Sequence, residues 1–94
     1  MVDPSLIRHD AAEHRFSVVV DGHVAEIDYH MSGNTMAITH TGVPAPVGGR
    51  GIAAQMTRFA LETARTNGWK VVPACSYAAA FMQRHPEFDD LRPG

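Results

Sequence analysis

Between Val43 and Gly51 the spacing of the apolar residues changes from two to nearly four, and this switch limits what the chain can fold into. Before it, Ala25, Ile27, Tyr29 and Met31 lie on one face of an extended segment, with Glu26, Asp28 and His30 on the other. After it, Ile52, Met56, Phe59, Ala60 and Thr63 recur at i, i+4, i+7, i+8 and i+11, opposed by Gln55, Arg58, Glu62 and Arg65. Pro44 and Pro46 remove two amide donors at the switch and hold Val43 and Ala45 extended, so regular strand pairing should stop there. Strands followed by helix, strand and helix predict an α/β chain of the α+β type with a mixed sheet.

The strand half reads as an antiparallel meander. His14 to Val20 is rich in β-formers, Asp21-Gly22 is a two-residue hairpin turn, His23 to Met31 alternates, and Ser32-Gly33-Asn34 turns into a third strand from Met36 to Thr41. The helix runs from Gly51 to Asn67, with Gly68 as its left-handed stop. Trp69 to Val72 reads as a strand buried on both faces and ended by Pro73. Ser76 is expected to cap a last helix from Tyr77 to Arg84, which Pro86 closes. The expected core is Phe16, Val18, Ala25, Ile27, Tyr29, Ile38, Ile52, Met56, Phe59, Ala60, Val71 and Val72, with Trp69 open between core and surface.

Ninety-four residues, 45% of them hydrophobic, suit one domain spanning 1–94. A formal charge of −2 offers no global basic field for nucleic acid, and no apolar run approaches bilayer length. Met1-Val2-Asp3-Pro4 lacks the basic and apolar pattern of a secretory leader, so a cytoplasmic location without nucleic-acid or membrane partners is expected. Cys75 is alone and cannot form an internal disulfide.

Glycines at 48, 49 and 51 directly before a helix describe more than a bend. Amides without intrahelical partners point out of such a turn, and the helix dipole adds positive potential, an environment that fits a phosphate or pyrophosphate. Gly49-x-Gly51-x-x-Ala54 also matches a minimal dinucleotide-binding pattern. That reading needs two nucleotide-binding halves and an acid at the end of the next strand, where Val71 to Cys75 supplies none.

Cys75 falls between a strand and a helix start, where it reads either as a thiolate nucleophile or base, or as a small hydrophobe. His40, at the end of the third strand, reads either as a proton acceptor or as a histidine hydrogen-bonded at a strand end. Six histidines invite a metal, but His23 and His30 point to opposite faces and the others lie apart in sequence, so no metal site is expected.

The combination of Arg15-Phe16 with Asp21-Gly22, His40-Thr41 before Val43-Pro44, Gly49-Arg50-Gly51, and Val72-Pro73-Ala74-Cys75-Ser76-Tyr77 followed by Arg84-His85-Pro86 resembles the small members of the GNAT N-acetyltransferase superfamily. The resemblance runs from about His9 to Leu91. It implies acetyl-CoA as cosubstrate, bound between two splayed strands with its pyrophosphate on the glycine turn. Carried onto this chain, the cofactor-binding positions are Val43, Gly48, Gly49, Arg50, Gly51, Ile52, Ala53 and Tyr77, and the catalytic candidates are Cys75 and His40. The acceptor it implies is a primary amine of open identity: a protein lysine, a polyamine or a small molecule. Three positions depart from the superfamily pattern. Pro46 replaces an Arg or Gln, Gly42 stands where a larger residue is common, and Phe81 and Met82 occupy the region of a tyrosine acid. These departures keep a second reading alive, a non-catalytic CoA-binding or protein-interaction module.

Overall fold

The computed structural model describes residues 2–93. Five strands form one sheet in the order β1 (Arg8–Asp10), β2 (Arg15–Val20), β3 (His23–Ser32), β4 (Thr35–Gly42) and β5 (Lys70–Pro73). The first four are antiparallel, and β5 runs parallel to β4. Helix α1 (Ile52–Asn67) makes the crossover that a parallel pair requires, and α2 (Ser76–Arg84) follows β5. Short 3₁₀ turns lie at Pro4–Leu6, Ala45–Val47 and Pro86–Leu91. The mixed sheet expected from the sequence is thus present, with boundaries within one residue for β2 to β5. Sequence reading did not find β1, whose three residues are too few to show a period.

One face of the sheet holds the core. Phe16, Val18, Ala25, Ile27, Tyr29, Met36, Ile38 and Val71 project from it, and Ile52, Met56, Ala60, Leu61 and Ala64 of α1 meet them, all buried. α1 packs across β2 to β5, α2 against β4 and β5, and the Pro86–Leu91 turn between the two helices, where Phe88 and Leu91 are buried. The opposite face is left to solvent: Val19, Val24 and Val72 are 62%, 51% and 38% exposed.

That one-sided arrangement corrects two expectations. β5 is not buried on both faces; Val71 is covered and Val72 is not, because β5 is an edge strand with helices on a single side. Phe59 is half-buried at the rim of the core, where it meets the Phe16 ring edge-on, and half-buried Trp69 packs against the same cluster. Gly68 adopts φ 72 and closes α1 as expected, with the Trp69 amide bonding the Ala64 carbonyl. No helix among the described residues is long and apolar enough to cross a membrane.

Candidate acyl-CoA site

β4 and β5 pair only from Thr35–Lys70 to Ile38–Pro73, and the Cys75 amide then bonds the Ile38 carbonyl at 2.9 Å. Beyond that point the β5-facing edge of β4, from Thr39 to Gly42, has no strand beside it, while its other edge still pairs with β3. The two parallel strands therefore part in a V. Ala74, the next residue in line to pair with β4, turns its amide back onto the Val72 carbonyl at 3.0 Å, and α2 carries the chain away.

A bulge sets which side chains line this V. Asp28 pairs with His40 and Tyr29 with Ile38, which leaves Thr39 as the extra residue, its hydroxyl donating to the Asp28 carbonyl at 3.3 Å. The bulge shifts the side-chain alternation by one. Ile38 and Thr41 both face the helices, Thr41 standing opposite buried Ile27, while His40 faces solvent opposite Asp28. The Thr41 hydroxyl lies 3.6 Å from the Cys75 sulfur. His40 and Cys75, the two catalytic candidates, thus flank the V from opposite faces of β4 and do not meet.

Cys75, not Ser76, is the N-cap of α2. Its sulfur accepts from the Ala78 amide at 3.4 Å, and the side chain is half-buried. Ser76 is already in the helix and exposed. Tyr77, on the first turn, is 38% exposed with its ring 6.5 Å from that of Phe81. Burial holds its hydroxyl above the ordinary tyrosine pKa, with the charge of Arg84 opposing. Phe81 and Met82 are buried in the core.

The glycine turn links the end of β4 to the start of α1. Gly49 and Gly51 both adopt left-handed backbone, φ 77 and 76, which a side chain would resist. Among the described residues, the amides of Gly49, Arg50, Gly51, Ile52, Ala53 and Ala54 find no acceptor; the first bond of the helix is Gln55 to the Gly51 carbonyl. The N-cap offers no side chain, and no acid stands in the first turn. Six amides at the positive end of a 16-residue helix form a cradle for an anion. The Gly48 amide donates to the Ala45 carbonyl at 3.1 Å. Val47 anchors the turn in the core, and half-buried Val43 packs against the same cluster. Arg50 pairs with Asp21 of the β2–β3 hairpin at 2.6 Å, which ties the turn to the sheet.

On the solvent face, His40 Nε2 lies 3.8 Å from a Glu26 carboxylate oxygen, and its ring rests over Gly42. Glu26, Asp28 and His40 offer three ligand atoms within 4.8 Å of one another, a grouping that separation in sequence concealed and register created. Arg15 already serves both carboxylates, at 2.7 Å from Asp28 and 3.9 Å from Glu26.

The model of the GCN5-related N-acetyl-transferase family matches residues 15–91. The chain belongs to the GCN5-related N-acetyltransferase family. The V, the glycine turn and α1 all lie inside the matched span. Among solved structures, a GCN5-like candidate N-acetyltransferase from Staphylococcus aureus, determined in solution by NMR, superposes with a TM-score of 0.75 at 30% identity. The match covers 94% of this chain and 87% of that one. The residues present fit an acyl-CoA: unpartnered amides for the pyrophosphate, and an open strand edge for the amides of a pantetheine arm.

Proposed function

We propose that this N-acetyltransferase, acting as the single domain 1–94, moves an acetyl group from acetyl-CoA to a primary amine by direct transfer in a ternary complex. The reading is carried by the open edge of β4 beyond Ile38 together with the unpartnered amides at the start of α1. The amides of Gly49, Arg50, Gly51, Ile52 and Ala53 hold the pyrophosphate, Gly48 shapes the turn, and Val43 and Tyr77 flank the pantetheine arm.

An amine must lose a proton before it attacks the thioester carbonyl, and His40 is placed to accept it from the uncovered face, with Glu26 steadying the imidazolium. As the new C–N bond forms, the C–S bond breaks and the CoA thiolate needs a proton. In this reading Cys75, whose sulfur lies 3.6 Å from the Thr41 hydroxyl on the helix side of the V, supplies it. Phe81 and Met82 cannot donate one.

Acetyl-CoA titration and amine acetylation across pH test both halves. Gly49→Val should lose measurable acetyl-CoA affinity while keeping the fold, and His40→Ala should lower kcat by about 100-fold and change the pH dependence of the rate. Cys75→Ala should slow transfer. Undiminished binding by folded Gly49→Val overturns the cofactor placement, and an unchanged profile in His40→Ala removes its role. Tight binding with no turnover on any amine would favour the non-catalytic module, a reading to which the buried Phe81 and Met82 lend support.

A further inference from the structure

Arg58 reads in the sequence as a solvated charge two turns into α1. In the fold it stands over a groove of about 290 Å³ lined by Gly51, Ala54, Gln55, Arg58, Phe81 and His85. The groove starts at the glycine turn and runs between α1 and α2, so it continues the anion cradle rather than forming a separate cavity. Seven residues of helix separate Gly51 from Arg58, about 10 Å along the axis, and helical side chains tilt back toward the N-terminus, which brings the guanidinium nearer the turn.

The far end of the groove is built to receive an anion. The Arg58 guanidinium lies 3.3 Å from His85 Nδ1 and is held over the rings of Phe88 and Phe81, at 5.2 and 5.8 Å from their centres. The His85 ring packs on Phe81 at 4.1 Å. Both side chains converge on one carboxylate, Glu87, at 3.4 and 3.7 Å, longer than a well-formed charged hydrogen bond. An Arg–His pair fixed by aromatic rings and only loosely met by an internal carboxylate has capacity for a stronger acceptor. A phosphate brings more charge and three acceptor oxygens.

We infer that this groove is the nucleotide-end subsite of the acyl-CoA site, with Arg58 and His85 receiving the ribose 3′-phosphate and Glu87 competing for the same two side chains. The inference rests on the proposed seating of the pyrophosphate at the glycine turn. The groove begins at Gly51, the last glycine of that turn, and Ala54 and Phe81 give it apolar walls.

Calorimetric titration of the whole chain with CoA and with 3′-dephospho-CoA tests it. The wild type should bind CoA about tenfold more tightly, the worth of one charge-assisted contact at a partly exposed site. Arg58→Gln should bind both nucleotides equally, with the affinity of the wild type for 3′-dephospho-CoA, which also certifies its fold. Glu87→Gln, which removes the competing carboxylate, should widen the preference for CoA, and His85→Gln should narrow it, so the comparison survives if Arg58→Gln does not fold. Equal binding of the two nucleotides by the wild type, or an undiminished preference in folded Arg58→Gln, overturns the subsite alone. Failure of the wild type to bind either nucleotide overturns the pyrophosphate seat and this inference together.

Discussion

Gly42 shows how one residue on β4 sets the position of another. A Cβ at Gly42 would lie 2.9 Å from His40 Nε2, so the imidazole occupies space that a larger residue would take. His40 is at an exposed position and its ring can swing aside, so Gly42→Ala should leave the melting temperature nearly unchanged and lower the transfer rate by displacing the ring from Glu26. A normal rate in a folded Gly42→Ala would show that the placement of His40 is immaterial. Cys75 is tested at the same scale. Its sulfur is half-buried beside the mouth of the V, and alkylation should slow when saturating acetyl-CoA covers it. Equal rates with and without the ligand would place the thiol outside the site.

Among the elements, the Pro86–Leu91 turn holds the two helices in the relation that makes the groove. Phe88 is fully buried against Phe81, beneath the guanidiniums of Arg58 and Arg65, and Arg65 also bonds the Glu87 carbonyl and the Asp90 carboxylate. Phe88→Ala should cost about 3 to 5 kcal/mol in denaturant unfolding, because the cavity has helices on both sides and little freedom to collapse. A loss below about 1 kcal/mol would mean that the turn is peripheral. The first half of the segment reads as a helix stop at Pro86, but a 3₁₀ turn with two buried residues in six has too few positions to show a period.

For the whole molecule, pH acts through the aromatic cluster that closes the β1 side of the sheet. His9 stacks on Phe16 at 4.2 Å and meets the Tyr29 hydroxyl at 2.6 Å, with Trp69 at the edge. Burial lowers the pKa of His9 below the ordinary histidine value, against the opposing charge of Asp10, and burial raises that of Tyr29. The unfolded chain therefore binds a proton at His9 that the folded chain releases. This contribution to stability is complete above about pH 6.5 and is lost as the pH falls through that value toward the lower folded one. Denaturant midpoints at pH 7.5 and 5.5 should differ in that sense, and His9→Gln should narrow the gap; an unchanged gap would exclude His9 as a source.

Local signals determined β2 to β5, the hairpin turn at Asp21-Gly22, the span of α1 and its glycine stop, since each depends on neighbours a few residues away. The glycine turn was legible for the same reason: a missing side chain and a helix start are properties of contiguous residues. Tertiary structure decided which face each element covers, and thus why Val72 is exposed and β5 is an edge. It also decided the bulge at Thr39, which sequence alternation cannot reveal because a single inserted residue reverses parity without altering composition. That reversal sends His40 to the open face beside Glu26 and Asp28 and turns Thr41 toward Cys75. Arg58, His85 and Glu87 look like separate surface charges along the chain. They become one cluster only because α1 and α2 pack together, and packing between distant segments has no local signature.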